Sequence, residues 1–135
     1  MKDQRESPRR YVSRLEGERR SRRAIGAPSP RGAILRDIAV HDAVRLLDLE
    51  PATGLESEYD ARGPDIRYRI AGCAPVDSHL PAGAFRSGSW DRGLLVSMTA
   101  ELEPLAIDEL TSEAARTTRS VVGLQAAGRR LWTRG

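Results

Sequence analysis

In 135 residues the chain has one cysteine, Cys73, one lysine, Lys2, and no asparagine. A lone thiol cannot close an internal disulfide, and without asparagine there is no acceptor for an N-linked glycan. Nothing in the covalent framework points to secretion, and the expected compartment is the cytoplasm. A structural zinc site takes four Cys or His ligands, whereas the chain offers Cys73, His41 and His79. A closed zinc site is excluded. The longest apolar runs, such as Ala33 to Leu35, Ile38 to Val40 and Leu94 to Val96, fall far short of the roughly 20 residues that span a bilayer. No apolar segment follows the basic N-terminus, so neither a signal peptide nor a membrane partner is expected.

What the chain has in quantity is arginine. Twenty-one arginines and the one lysine stand against 19 acidic residues, a formal charge of +3. The length suits one domain, since domains run most often to about 100 to 150 residues. The charge is unevenly placed. Residues 1 to 24 carry nine basic and four acidic side chains, a net of +5, which leaves −2 for the remaining 111 residues. Gly26-Ala27-Pro28-Ser29-Pro30-Arg31-Gly32 is punctuation between the two parts. We therefore divide the chain into a basic arm, 1–31, expected to be flexible, and a domain, 32–135. The arm, with Arg19, Arg20, Arg22 and Arg23, suits a phosphate-rich partner such as DNA through counterion release. It also suits a solvated leader.

Leu35, Ile38, Ala39, Ala43, Leu46 and Leu47 recur at three- and four-residue spacing and predict a helix over about 32–48, ended by Pro51 and Gly54. After a turn at Arg62 to Asp65, Ile66, Tyr68 and Ile70 alternate with Arg67 and Arg69, the period-two pattern of a strand with one buried and one polar face. Residues 72–92 read as a loop. Leu94 to Met98 and Pro104 to Leu110 read as two strands of a hairpin, and helices are expected after Thr111 and over Val121 to Trp132. One helix, about four strands and C-terminal helical material describe a mixed α/β or α+β domain.

Glu56, Glu58 and Asp60 precede the turn. Carboxylates gathered at a strand end are how proteins hold Mg²⁺, usually with waters and substrate phosphates completing the shell; a solvated acidic loop has the same composition. The run Arg36-Asp37-Ile38-Ala39-Val40-His41-Asp42-Ala43-Val44-Arg45-Leu46-Leu47 is followed by Tyr59-Asp60-Ala61 and Arg67-Tyr68-Arg69-Ile70-Ala71-Gly72. Together they resemble small bacterial proteins of the restriction-endonuclease-like, PD-(D/E)XK nuclease superfamily, whose pattern reads G-E-I-A-E-Y-x-A-x-x-L-L, G-Y-D-A and R-x-Q-I-K-G. Trp90-Asp91, Leu94-Leu95-Val96, Ser120 and Gly128-Arg129-Arg130-Leu131-Trp132 extend the likeness over roughly residues 32–132. The resemblance implies a restriction-endonuclease-like core.

It also implies a damaged site. Asp60 stands where such nucleases place the metal-binding aspartate of the first core strand. The second ligand position, two residues before the lysine, is Arg69, and the lysine position is Ala71. The helix glutamate is Val40, with Asp37 the acid left nearby as a second metal ligand. Arginine is a permanent cation with donors and no acceptor, so Arg69 can neither ligate Mg²⁺ nor act as a general base. No lysine elsewhere in the domain can step in, though Arg67 and Arg69 share a strand face with Ala71.

Two readings follow. In the first the chain is a nuclease-fold protein that no longer cleaves, needs no cofactor, and binds nucleic acid or a protein partner through Arg67, Arg69 and the arm. In the second it is a residual Mg²⁺-dependent DNA nuclease using Asp60 as its catalytic residue, with Asp37 or a neighbouring glutamate. Asp77-Ser78-His79 has the residue types of a hydrolase triad, but adjacent side chains cannot be arranged as nucleophile, base and orienter.

Overall fold

A computed structural model of the chain describes residues 30–53, 58–81, 83–85 and 88–135. Residues 1–29, which hold Arg19, Arg20, Arg22 and Arg23 of the arm, and the acidic Glu56 lie outside the described residues. Helix α1 spans Pro30–Leu47, within two residues of the span its periodicity predicts. Ile34, Leu35, Ile38, Ala39 and Ala43 form its buried stripe, while Arg36, His41 and Arg45 face solvent. The helix stops at Asp48, ahead of Pro51 and Gly54. Asp48 takes the left-handed conformation with φ 54°, and the Leu49 amide reaches back to the Val44 carbonyl at 3.0 Å. That six-to-one bond is a Schellman cap, in which a short polar side chain serves where glycine is commoner.

The strands β1 (Glu50–Pro51), β2 (Ala61–Arg62), β3 (Arg67–Cys73), β4 (Arg92–Met98), β5 (Pro104–Thr111) and β6 (Arg129–Thr133) lie in sequence order in one six-stranded sheet. The pair β3 and β4 is parallel and every other pair is antiparallel. With α1, α2 (Ser112–Thr117) and α3 (Val121–Ala127), the described residues form a mixed α/β fold. The sheet is larger than the four strands expected, because β1 and β2 are too short to show a period and β6 was expected to be helical.

The reason β6 is a strand lies in its neighbours. Gly128 ends α3, and a Cβ there would stand 2.9 Å from the Asp108 Cβ. Beyond it, Arg130 Nε donates to Asp108 Oδ1 at 2.7 Å and Arg129 Nη2 to Glu109 Oε1 at 3.0 Å. Opposite charges facing each other on β5 and β6 fix the segment as an extended edge strand.

The sheet is covered on both faces. Ile34, Leu35, Ile38, Ala39 and Ala43 of α1 pack against Ala61, Tyr68, Ile70, Leu94, Val96, Met98 and Ile107. On the other face Ala71, Cys73, Leu95 and Leu110 pack against Leu80, Phe85, Trp90 and the helix residues Ala115, Val121 and Leu124. Strand β3 thus has no polar face: Arg69 is buried and Arg67 alone is exposed. Parallel neighbours need a connection of about a dozen residues or more, and residues 74–91 supply it. The connection is tied to the α2–α3 junction by Leu80 N to Arg119 O and Val121 N to Ser78 O, each 2.9 Å.

Candidate functional site around Asp60

Asp60 sits at the start of the β2–β3 hairpin, where its amide donates to the Tyr68 carbonyl at 2.7 Å. That bond turns its carboxylate onto β3. Oδ2 accepts from the Ile70 amide at 2.8 Å. Oδ1 accepts from Arg36 Nη2, a donor on the exposed side of α1, and lies 3.6 Å from Arg69 Nη1. The side chains of Asp60 and Arg69 are 10% and 8% exposed, and that of Arg36 is 45% exposed. A carboxylate buried with a guanidinium in this way is held as an ion pair, since either charge alone would lose its hydration without compensation.

This arrangement does not fit Mg²⁺. Both oxygens of Asp60 are engaged by donors, and the residue beside it is a buried cation that would repel a second one. Asp37 lies half-buried on α1, but its neighbour Arg36 is the residue that reaches Asp60. Among the described residues no group of three or more His, Cys, Asp or Glu side chains is placed to hold a metal ion.

The two strand arginines part company. Arg67 is exposed at the start of β3, where its amide donates to Asp91 Oδ2 at 2.8 Å and Nη1 to Ser89 Oγ at 3.1 Å. The Arg67 amide, followed by its guanidinium, holds the Asp91 carboxyl below its ordinary range. Arg69 turns inward against Asp60. The loop at Gly88 closes over it: a Cβ on Gly88 would lie 3.0 Å from the Glu58 carbonyl and 3.3 Å from Arg69 Nη2. Arg116 stacks 4.5 Å above the buried Trp90 ring and donates to the Gly88 carbonyl at 3.3 Å.

Other acids are likewise held by arginine. Arg31 grips Asp77 with two bonds of 2.8 and 3.1 Å, and the Ala74 amide adds a third. Burial works to raise the Asp77 carboxyl pKa, but Arg31 and that amide outweigh it and the net direction is down. Asp77 is therefore committed elsewhere, although Ser78 Oγ and His79 Nδ1 are 3.1 Å apart. Glu109 is buried between the Tyr68 hydroxyl at 3.0 Å and Arg129. Burial, then the Glu109 carboxylate, pushes the Tyr68 phenol up to about 12. Cys73 is buried 3.7 Å from Ser97 Oγ, and burial pushes its thiol up.

Arg36 is the site residue that the sequence pattern does not reveal. It lies off the apolar stripe of α1, and only the packing of α1 beside the hairpin brings it to Asp60. No protein-family model matches the chain, and no curated protein matches it in sequence. Among the described residues no helix is long and apolar enough to cross a membrane.

Proposed function

We propose that this chain is a restriction-endonuclease-like protein that no longer cleaves and that binds nucleic acid, its basic arm providing most of the attraction. One observation carries the reading. A buried guanidinium, Arg69, lies 3.6 Å from Asp60 Oδ1, beside the carboxylate that in such a nuclease would hold the metal. The packing of α1 beside the sheet next to Asp60 supports the reading. A fixed organic cation satisfies the carboxylate electrostatically but supplies no water of lowered pKa and no open coordination position. The Mg²⁺-dependent alternative would require Asp60 to leave both guanidiniums.

The binding part of the reading rests on charge. Residues 1–24 carry +5 and the rest of the chain −2, and many arginines beyond residue 24 are already spent on carboxylates, as at Arg31, Arg36, Arg67, Arg129 and Arg130. The test incubates the full chain with a DNA duplex and Mg²⁺ or Mn²⁺, beside an Asp60→Ala variant. Salt-dependent binding without Asp60-dependent cleavage is expected. Cleavage that disappears in the variant would establish the nuclease alternative instead.

A further inference from the structure

Arg36 meets Asp60 through one nitrogen, Nη2, and 45% of its side chain is exposed. A guanidinium has five N–H donors in a flat fork, so Arg36 keeps donors facing solvent. Asp60 cannot follow it outward, because Oδ2 is fixed to the Ile70 amide and the side chain is 10% exposed. Arg69 supports Asp60 from within, at 8% exposure. The three groups differ in freedom: two are interior and fixed, and the third can exchange partners. Guanidinium forks bind carboxylate and phosphate oxygens with the same geometry.

We propose that Arg36 is the nucleic-acid contact of this site, taking a backbone phosphate, and that Asp60 is its built-in competitor, occupying the guanidinium in the unbound protein. The proposal rests on the nucleic-acid reading above and adds a residue and a direction to it. Asp60 acts on binding through Arg36, by charge, and weakens it. Opening the Arg36–Asp60 contact exposes one guanidinium and leaves Asp60 with Arg69 and the Ile70 amide, so the interior pair survives the exchange.

The experiment titrates the full chain with a short fluorescent DNA duplex and, separately, with inorganic phosphate while following the Arg36 side-chain NMR signal. Asp60→Asn keeps an oxygen for the Ile70 amide and removes the competing charge. Duplex affinity then rises about tenfold, the value of one charge-assisted contact. Asp91→Asn makes the same charge change at the exposed carboxylate beside Arg67, and its gain stays near about twofold. Adding Arg36→Gln to Asp60→Asn abolishes the gain. Equal gains for the two asparagine variants, or a gain that survives Arg36→Gln, would overturn the proposal.

Should Asp60→Asn not fold, Arg36→Gln alone is compared with Arg62→Gln, an exposed arginine facing Glu50. A larger loss of duplex affinity at Arg36 supports the proposal, and equal losses refute it. If no duplex binds but inorganic phosphate shifts the Arg36 signal, the anion contact stands and the nucleic-acid reading falls. If the duplex binds and that signal does not move, the contact falls and the reading stands.

Discussion

Asp60 and Arg69 need each other because both are inside. Removing one partner of a buried pair leaves an uncompensated charge, whereas an exposed pair contributes little. Arg69→Met, which keeps bulk and removes charge, should therefore lower unfolding stability by about 1–3 kcal/mol, with the remaining Arg36 and Ile70 contacts limiting the loss. Arg36→Gln should cost about 0–1 kcal/mol. Urea unfolding of the two variants checks the order. Tyr68 gives a second prediction at this scale. Its phenol holds its proton to about 12 in the folded chain, against an ordinary value of 10.0. The unfolded chain loses that proton first, so stability falls as pH rises through this window, by about 2–3 kcal/mol in total. Denaturant unfolding at about pH 9 and pH 12 should show that loss in the wild type and a smaller one in Tyr68→Phe.

Among the elements, α1, β3, β4 and β5 were legible in the sequence because each is long enough to show its period. The α1 stripe of Leu35, Ile38, Ala39 and Ala43 repeats at helical spacing and packs as one face. Strands β1 and β2 have two residues each and are made by pairing alone. In β3 the alternation predicts a strand, but the polar face it implies does not exist, since Arg69 is hidden by the connection between β3 and β4, whose placement no local pattern reports. Strand β6 is hidden in the sequence for a related reason: Val121 to Trp132 has helical composition, and the partners that extend its second half, Asp108 and Glu109, are about 20 positions away.

Two variants probe these elements. Arg130→Ala leaves Asp108 at 1% exposure without its guanidinium, and Oδ2 of that carboxylate already has no hydrogen-bond partner among the described residues. A loss of about 3 kcal/mol or more is expected, with early exchange of the β6 amides. At Gly72 a Cβ would stand 2.6 Å from Met98 Cε and 2.8 Å from the Leu35 carbonyl of α1. Met98 can move, but backbone cannot. Gly72→Ala should cost about 1–3 kcal/mol in chemical unfolding by forcing α1 away from β3.

Across the whole molecule, the arginine surplus has two uses. In the domain many of the arginines neutralise acids, several of them buried, so a count of 21 arginines overstates the cationic surface. In the arm nine basic side chains face four acidic ones within 24 residues. Duplex affinity should therefore depend on the arm more than on the sheet. Replacing Arg19, Arg20, Arg22 and Arg23 together by Gln should reduce the slope of log affinity against log salt by about 2–4, as fewer counterions are released; an unchanged slope would remove the arm from the interface.

The most direct measurement is Mn²⁺ binding to the full chain, followed by electron paramagnetic resonance, in the wild type and in Asp60→Asn. With Arg69 and Arg36 already on the carboxylate, the two titrations should coincide, with no site that depends on Asp60. A Mn²⁺ site present in the wild type and lost in Asp60→Asn would contradict a guanidinium in the place of the metal.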